Sequence, residues 1–592
     1  MRIAPARLLW RQIIVKHEIA ILAFACLMAL CGCGPSPPTP PAASSTTAAP
    51  AMSSTPKDLM PQAPATVMDW ARGAMLFDGL GSAHRAVTTS VPEAQKYFDQ
   101  GLRLMWAFNH DEATRSFAKA AALDPDCAAC YWGVSLTVGP NYNLPFLIEE
   151  RAKVASEALS LARAHISHAT PVEQALITAL GKRYPSSRPL DTAALQPVLV
   201  AYAEAMKGVA QQFPQDLDVQ TLYAEALMNV NAWKLWTAEG KAAPGTDQIV
   251  STLESVLARD PQHPGANHYY VHTMEASPHP EKALASAERL RNLMPSAGHL
   301  VHMPAHIMQR IGRYEDAAEA NRSGAAADLA YVARTQPLDY YPVMYTAHNY
   351  QFLAASAAME GRRAEAVAAA DNSRRVVSDD MLIAMPGADW YLVEMYTARI
   401  RFGLWDDILT MTAPDPRFAA LTGGYLYARA LALAALGRRD EARATLGKLQ
   451  ALIASVPADA PAAMNTVKDV LGIGVLIVQA RVAAAEQHPD EAVRSLQQAV
   501  LAEDRLAYNE PRDWLFPVRH VLGAQLMQNN KASEAETVYR QDLRLNPGNG
   551  WALYGLSAAL KAQGKAKEAA LYGQQFGLAW KHADVTLTAS AY

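Results

Sequence analysis

Apolar residues recur every three to four positions along most of the chain, and small residues interrupt them at regular distances. Between residues 97 and 125, Gly101, Ala113, Phe117, Ala120 and Pro125 stand where two antiparallel helices need them. Gly101 lets the helices approach closely, Ala113 packs at their crossing, and Pro125 ends the second helix. A short turn, Gly-Arg-x-x-[Asp/Glu]-Ala, recurs at Gly312–Ala317, Gly361–Ala366 and Gly437–Ala442, with a looser copy at Gly403–Asp407. Each copy lies between two apolar-periodic stretches and predicts a helix–turn–helix connection. Gly523, Ala535, Tyr539 and Pro547, then Leu556, Gly564 and Ala569, mark two more units near the C-terminal end. Asn231–Asp247, carrying Gly240 and Pro244, reads as an inserted loop. No alternating strand pattern competes, so the chain is expected to be all-α, built from stacked helix pairs.

Pro261 and Pro295 are 34 residues apart. That period, with the small residues and turns above, resembles the tetratricopeptide repeat (TPR). The resemblance covers residues 94–580 and is clearest at 94–127, 264–297, 298–331, 347–380, 516–549 and 550–580. It is looser near 140–250 and 320–345. It implies a TPR-type helical solenoid with a concave groove, a surface that binds proteins, peptides or other ligands in that family. Trp106–Ala113, Gly139–Asn143, His299–His306 and Glu510–Trp514 are similar to segments of a group of large bacterial TPR proteins. That likeness bears on the fold and implies no activity.

The N-terminus changes the picture of where the chain resides. Arg2, Arg7, Arg11 and Lys16 precede an apolar stretch, Ile19–Leu30, that is too short to span a bilayer. It ends in Leu30-Cys31-Gly32-Cys33, which resembles a bacterial lipobox with Cys33 as the lipidated residue. An ordinary secretory signal is the alternative. Residues 1–33 are thus expected to be a lipoprotein signal peptide and 34–66 a Pro/Ser/Thr/Ala-rich tether. Residues 67–592 then form the TPR body, lipid-anchored on the periplasmic side of a bacterial envelope. Gly34 after the anchor cysteine favours the outer membrane by resemblance to lipoprotein sorting. The net charge is −4, with no basic block beyond the leader, which argues against a nucleic-acid partner.

The candidate chemistry is histidine. Eight of the 16 histidines lie between His263 and His348. His268 and His302 both lie seven residues after a repeat proline, and His272 and His306 both lie 11 after it. His299 and His348 each precede a turn glycine by 13. A His-x-x-x-His pair puts both rings on one helix face, the spacing that chelates an ion. Imidazole suits copper, zinc or iron. The expected site is His268, His272, His299, His302, His306 and His348 in one groove-facing patch, sharing an ion. Glu275, on the face of His272, would add a ligand or a general base. Met274, Met303 and Met308 would favour copper if they turn inward. Pro304 falls between His302 and His306 and removes a helical N–H; if a helix starts near Met303, Pro304 sits in its first turn and His299 and His302 lie in the entering loop.

Three functions remain open at this level: a scaffold with a metal site, a metal-dependent enzyme, or a metal-free adaptor whose histidines only make the groove polar. Of five cysteines, the body keeps Cys127 and Cys130, which read as a short disulfide or as a redox or metal-binding pair. Tyr131 after Cys130 excludes the haem-attachment motif.

Overall fold

The computed structural model describes residues 63–592 apart from 336 and 338–340. The leader, Cys33 and the tether up to residue 62 lie outside the described residues. From there the chain is an all-α, TPR-type array of antiparallel helix pairs. Among the described residues, the only strands are the two-residue pair Pro461–Ala462 and Asn465–Thr466.

The helices that matter below, in chain order, are α1 (Pro92–Trp106), α2 (His110–Leu123), α3 (Ala128–Thr137) and α4 (Pro264–Glu275). They continue with α5 (Leu284–Leu293), α6 (Gly298–His302), α7 (Pro304–Arg310), α8 (Tyr314–Thr335) and α9 (Ala347–Met359). The later ones are α10 (Arg363–Arg375), α11 (Glu394–Arg401), α12 (Val467–Ala485), α13 (Val518–Gln528), α14 (Ala532–Leu545) and α15 (Gly550–Ala562). Residues 231–245 are a loop between Val230 and Thr246, closed by an isolated bridge from Trp236 to Ala242.

One packing device recurs at both ends. The Phe117 ring of α2 sits in a slot between Gly101 of α1 and Gly133 of α3; a Cβ at either glycine would lie 2.8 or 2.5 Å from the ring. Tyr539 of α14 occupies the equivalent slot between Gly523 and Gly555, where a Cβ would approach to 2.3 Å on each side. Small residues here are steric requirements of a three-helix contact.

The turns explain the glycine signature. Gly312, Gly361 and Gly437 hold φ of +80°, +75° and +77°, a left-handed conformation that costs glycine nothing. Between α1 and α2 the same turn position is taken by Phe108, at φ +55°. A bulky residue there is strained, and such strain persists where surrounding contacts fix it.

Pro304 does not leave His299 and His302 in a loop. The helix begins at Gly298, and Met303 stays helical (φ −50°, ψ −34°), so α6 runs into α7. Pro304 lies in the first turn of α7, where its missing N–H costs little. His302 and His306 therefore remain one helical turn apart.

Candidate metal centre

The six histidines expected to form the site do converge, as two groups of three. His268 and His272 of α4 meet His299 of α6, and His302 of α6 and His306 of α7 meet His348 of α9. Within each group, one nitrogen from every ring lies within 4.8 Å of the others. Each group thus takes a His-x-x-x-His pair from one helix pair and its third ring from the next. The single patch expected from the sequence is thus two adjoining clusters. The groups abut: His272 and His306 ring centroids are 5.6 Å apart, and those of His299 and His302 are 5.8 Å apart.

The rings are not on an open groove wall. His268, His272, His299, His302 and His306 are all buried, and His348 is nearly so. The cover comes from α1 and from irregular segments. Gly265 leaves room for Trp106 against the start of α4 (a Cβ there would meet the indole at 2.4 Å), and the Trp106 carbonyl reaches His268. Phe108 lies over His268, His272 and His299, with centroids at 4.4, 5.5 and 5.8 Å. Trp233, also left-handed at φ +61°, packs with Tyr142 on His272. Phe352 packs on the other group, 5.0 Å from His302 and 4.8 Å from His306.

The hydrogen bonds assign the nitrogens. His268 Nδ1 donates to the Trp106 carbonyl at 2.6 Å, and His302 Nδ1 to Asn321 Oδ1 at 2.7 Å. Asn321 Nδ2 donates to the Ala317 carbonyl, which fixes the orientation of that amide. His272 Nδ1 donates to Glu275 Oε1 at 2.9 Å, and His306 Nδ1 pairs with Glu275 Oε2. Three rings, His268, His272 and His302, thus spend Nδ1–H on an acceptor, which in a neutral imidazole leaves Nε2 as a bare lone pair. His268 Nε2 faces His299 Nε2 at 3.1 Å, and His302 Nε2 faces His306 Nε2 at 2.8 Å. His272 Nε2 and His299 Nδ1 are buried without a partner. A proton on His299 Nε2 can bridge the first pair and one on His306 the second, the places a cation would otherwise take.

Electrostatics agree with that assignment. Burial, reinforced by neighbouring imidazoles, holds His268, His299 and His302 well below the usual histidine range. Burial and His306 lower His348 to about 3. Burial also lowers His272, against Glu275. His306 is the exception: burial works against its charge, but the Glu275 carboxylate outweighs it and raises the ring. Burial would raise Glu275 in turn, yet His306 and His272 hold it below the usual carboxylate range. Glu275 is therefore committed to two imidazoles, one in each group. It orients both rings.

The site opens onto a cavity of about 590 Å³, lined by His272, His299, His306 and His348 and by Trp233, Tyr345, Tyr391 and Glu510. Glu510 had no assigned role in the sequence reading, although its Glu510–Trp514 segment stood out there. Burial and the charge of Glu275 push its carboxyl up to about 7, and Tyr508 Oη donates to it. Phe108 was missed as well. Its signal was a phenylalanine where other turns carry glycine.

Other candidates fall outside. His263 caps α4 by accepting from the Ala266 amide, and His279 lies on the surface beside Glu281. Met274, Met303 and Met308 are part of the apolar core. Cys127 and Cys130 form a disulfide buried at the start of α3, so neither is a free thiolate. Asp126, His165 and His168 also cluster, but two of the three are exposed.

No protein-family profile and no curated protein sequence matches the chain. Solved structures with a similar arrangement include a human IFIT1 dimer with m7Gppp-AAAA, at 11% identity, covering 76% of this chain and 89% of that one, with a TM-score of 0.31. The APC/C hetero-tetramer Cut9–Hcn1 aligns at 12% identity, over 79% of this chain and 76% of that one, with a TM-score of 0.31. Yeast Tom70 aligns at 12% identity, over 81% and 96%, with a TM-score of 0.28. At these scores nothing about activity passes to this chain.

Proposed function

We propose that this protein is a transition-metal protein of the bacterial envelope, holding a pair of ions on a TPR-type scaffold. One ion is held by His268, His272 and His299, the other by His302, His306 and His348. The observation that carries this reading is the convergence of two sets of three imidazoles, in which His268, His272 and His302 spend Nδ1–H on outer acceptors and Nε2 atoms face one another at 3.1 and 2.8 Å. That is the outer-shell pattern of metal-bound histidine. In the metal-free protein the Glu275 carboxylate raises the affinity of His306 for a proton, and that proton can bridge to His302.

Copper, zinc and iron all suit imidazole, and no thiolate or inward thioether narrows the choice. Three histidines leave a fourth position open, as catalytic zinc sites do. Four of the six rings line the cavity, which supports a metal-dependent enzyme acting on a small molecule over a scaffold that captures peptides in an open groove. Cys33 and the leader would hold the body on the periplasmic face, with the outer membrane favoured.

The test is metal content. Full-length protein loaded separately with copper, zinc and iron(II), then desalted, should retain close to two equivalents of one of them by elemental mass spectrometry. The His268→Ala/His302→Ala variant should retain none. Failure of wild type to retain any of the three, or equal retention by the variant, removes the metal reading. A Cys33→Ser variant should leave the membrane fraction; unchanged membrane association removes the lipid anchor.

A further inference from the structure

A second enclosed space lies well along the chain from the histidines and uses none of them. It has a volume of about 90 Å³ and is walled by α11, α12, α13 and the segment before α13. Its surface is mainly apolar, from Trp390, Tyr427, Trp514 and Phe516, yet two arginines, Arg401 and Arg481, face it.

The arginines lack the usual partners. Arg401 is buried, and its Nε has no hydrogen-bond partner. Its Nη2 donates to a neutral acceptor, His520 Nδ1, at 2.9 Å. The guanidinium lies 3.8 Å over the Trp551 ring and 5.1 Å from that of Phe516. Its nearest counter-charge, Asp542, is one residue removed, on the far nitrogen of His520. Burial lowers Arg401 to about 9, against the pull of Asp542. Arg481 is largely buried and makes no ion pair among the described residues, and burial lowers it too. Asp513, the one acidic side chain on the wall, is already held by Asn509, Asn465 and the Met464 amide.

An apolar chamber with under-compensated guanidinium groups selects an anion with an apolar body, because the fork geometry of arginine matches a carboxylate. A chamber of about 90 Å³ holds only a small body, so the chain must be short. We propose that this cavity binds a short-chain organic carboxylate, held by Arg401 and Arg481 against Trp390, Tyr427, Trp514 and Phe516.

The probe is butyrate, with butyramide as its neutral counterpart, on full-length protein read by saturation-transfer NMR and tryptophan fluorescence. Butyrate should bind at least tenfold more tightly than butyramide. Arg481→Gln, which removes a side chain with no ion pair, should weaken butyrate at least tenfold and leave butyramide unchanged. The result should be the same in chelated and metal-loaded protein, which separates it from the histidine centre. Equal binding of the two probes, an unaffected Arg481→Gln variant, or no butyrate binding up to about 10 mM would overturn the proposal. Arg401→Gln serves as a second variant, judged only if its thermal unfolding remains cooperative.

Discussion

The histidine-bearing repeats and the C-terminal repeats use the same scaffold to bury histidine, with opposite outcomes. His520 on α13 is as fully buried as His268 or His302. Its Nε2 donates to Asp542 Oδ2 at 2.8 Å, and its Nδ1 accepts from Arg401. Asp542 is further held by Asn546 and Asn549. Every polar atom of that ring is used within the protein. His268 and His302 instead spend Nδ1 on an acceptor and turn Nε2 toward another imidazole. Burial of histidine is thus no sign of a site by itself. Counting the nitrogens separates a closed structural network from a cluster with capacity left for a cation.

The sharpest way to break this comparison is to remove one ring from each region. His302→Ala should lose about one of two bound equivalents, whereas His520→Ala should lose none, both read by elemental analysis after loading. If both lose metal equally, the distinction drawn from nitrogen counting is wrong. Stability should respond the other way. His520→Ala strands the buried Asp542 carboxylate and should cost about 3–5 kcal/mol by urea unfolding.

A pH series on chelated protein sharpens the same contrast. His302 is neutral in the fold, and its affinity for a proton lies well below the ordinary value of 6.5 that it regains on unfolding. Its contribution is therefore fully present above pH 6.5 and fades as the pH falls toward the folded value. Relative to His302→Gln, wild type should lose stability by urea unfolding as the pH falls from about 7.5 to about 5. A gap that stays constant with pH would mean that this ring is protonated in the fold.

Smaller effects probe the frame. Gly298 begins α6, where a Cβ would fall 1.8 Å from Asp328 Oδ1 and 2.8 Å from the Gly324 carbonyl. Gly298→Ala should cost about 1–3 kcal/mol and displace His299 and His302, weakening metal retention in both groups. Gly447, in a helix with open space around it, is the control: Gly447→Ala should gain about 0.5–1 kcal/mol and leave metal binding alone.

The fold was largely legible because its turns require a left-handed residue, and glycine supplies it at Gly312, Gly361 and Gly437. The six rings were legible because they repeat in register. Their division into two groups was not. It depends on which helix faces meet between successive pairs, and on Met303 keeping the helix continuous through Pro304. Burial of the rings was also hidden. Phe108 covers them from a turn that sequence periodicity treats as a connector, and Trp233 does so from an inserted loop. Glu510 and Arg481 reach their cavities through contacts distant in sequence, which no local spacing announces.

The six clustered histidines come from three successive helix pairs, those beginning with α4, α6 and α9. In a solenoid each unit ordinarily senses only its neighbours, so the array behaves as a one-dimensional chain that frays from its ends and can come apart unit by unit. An ion held by histidines of two units couples their unfolding by its binding free energy. A second ion sharing the middle unit extends that coupling to the third. The loaded protein would then melt this stretch as one cooperative block, and the stripped protein would let its repeats open independently.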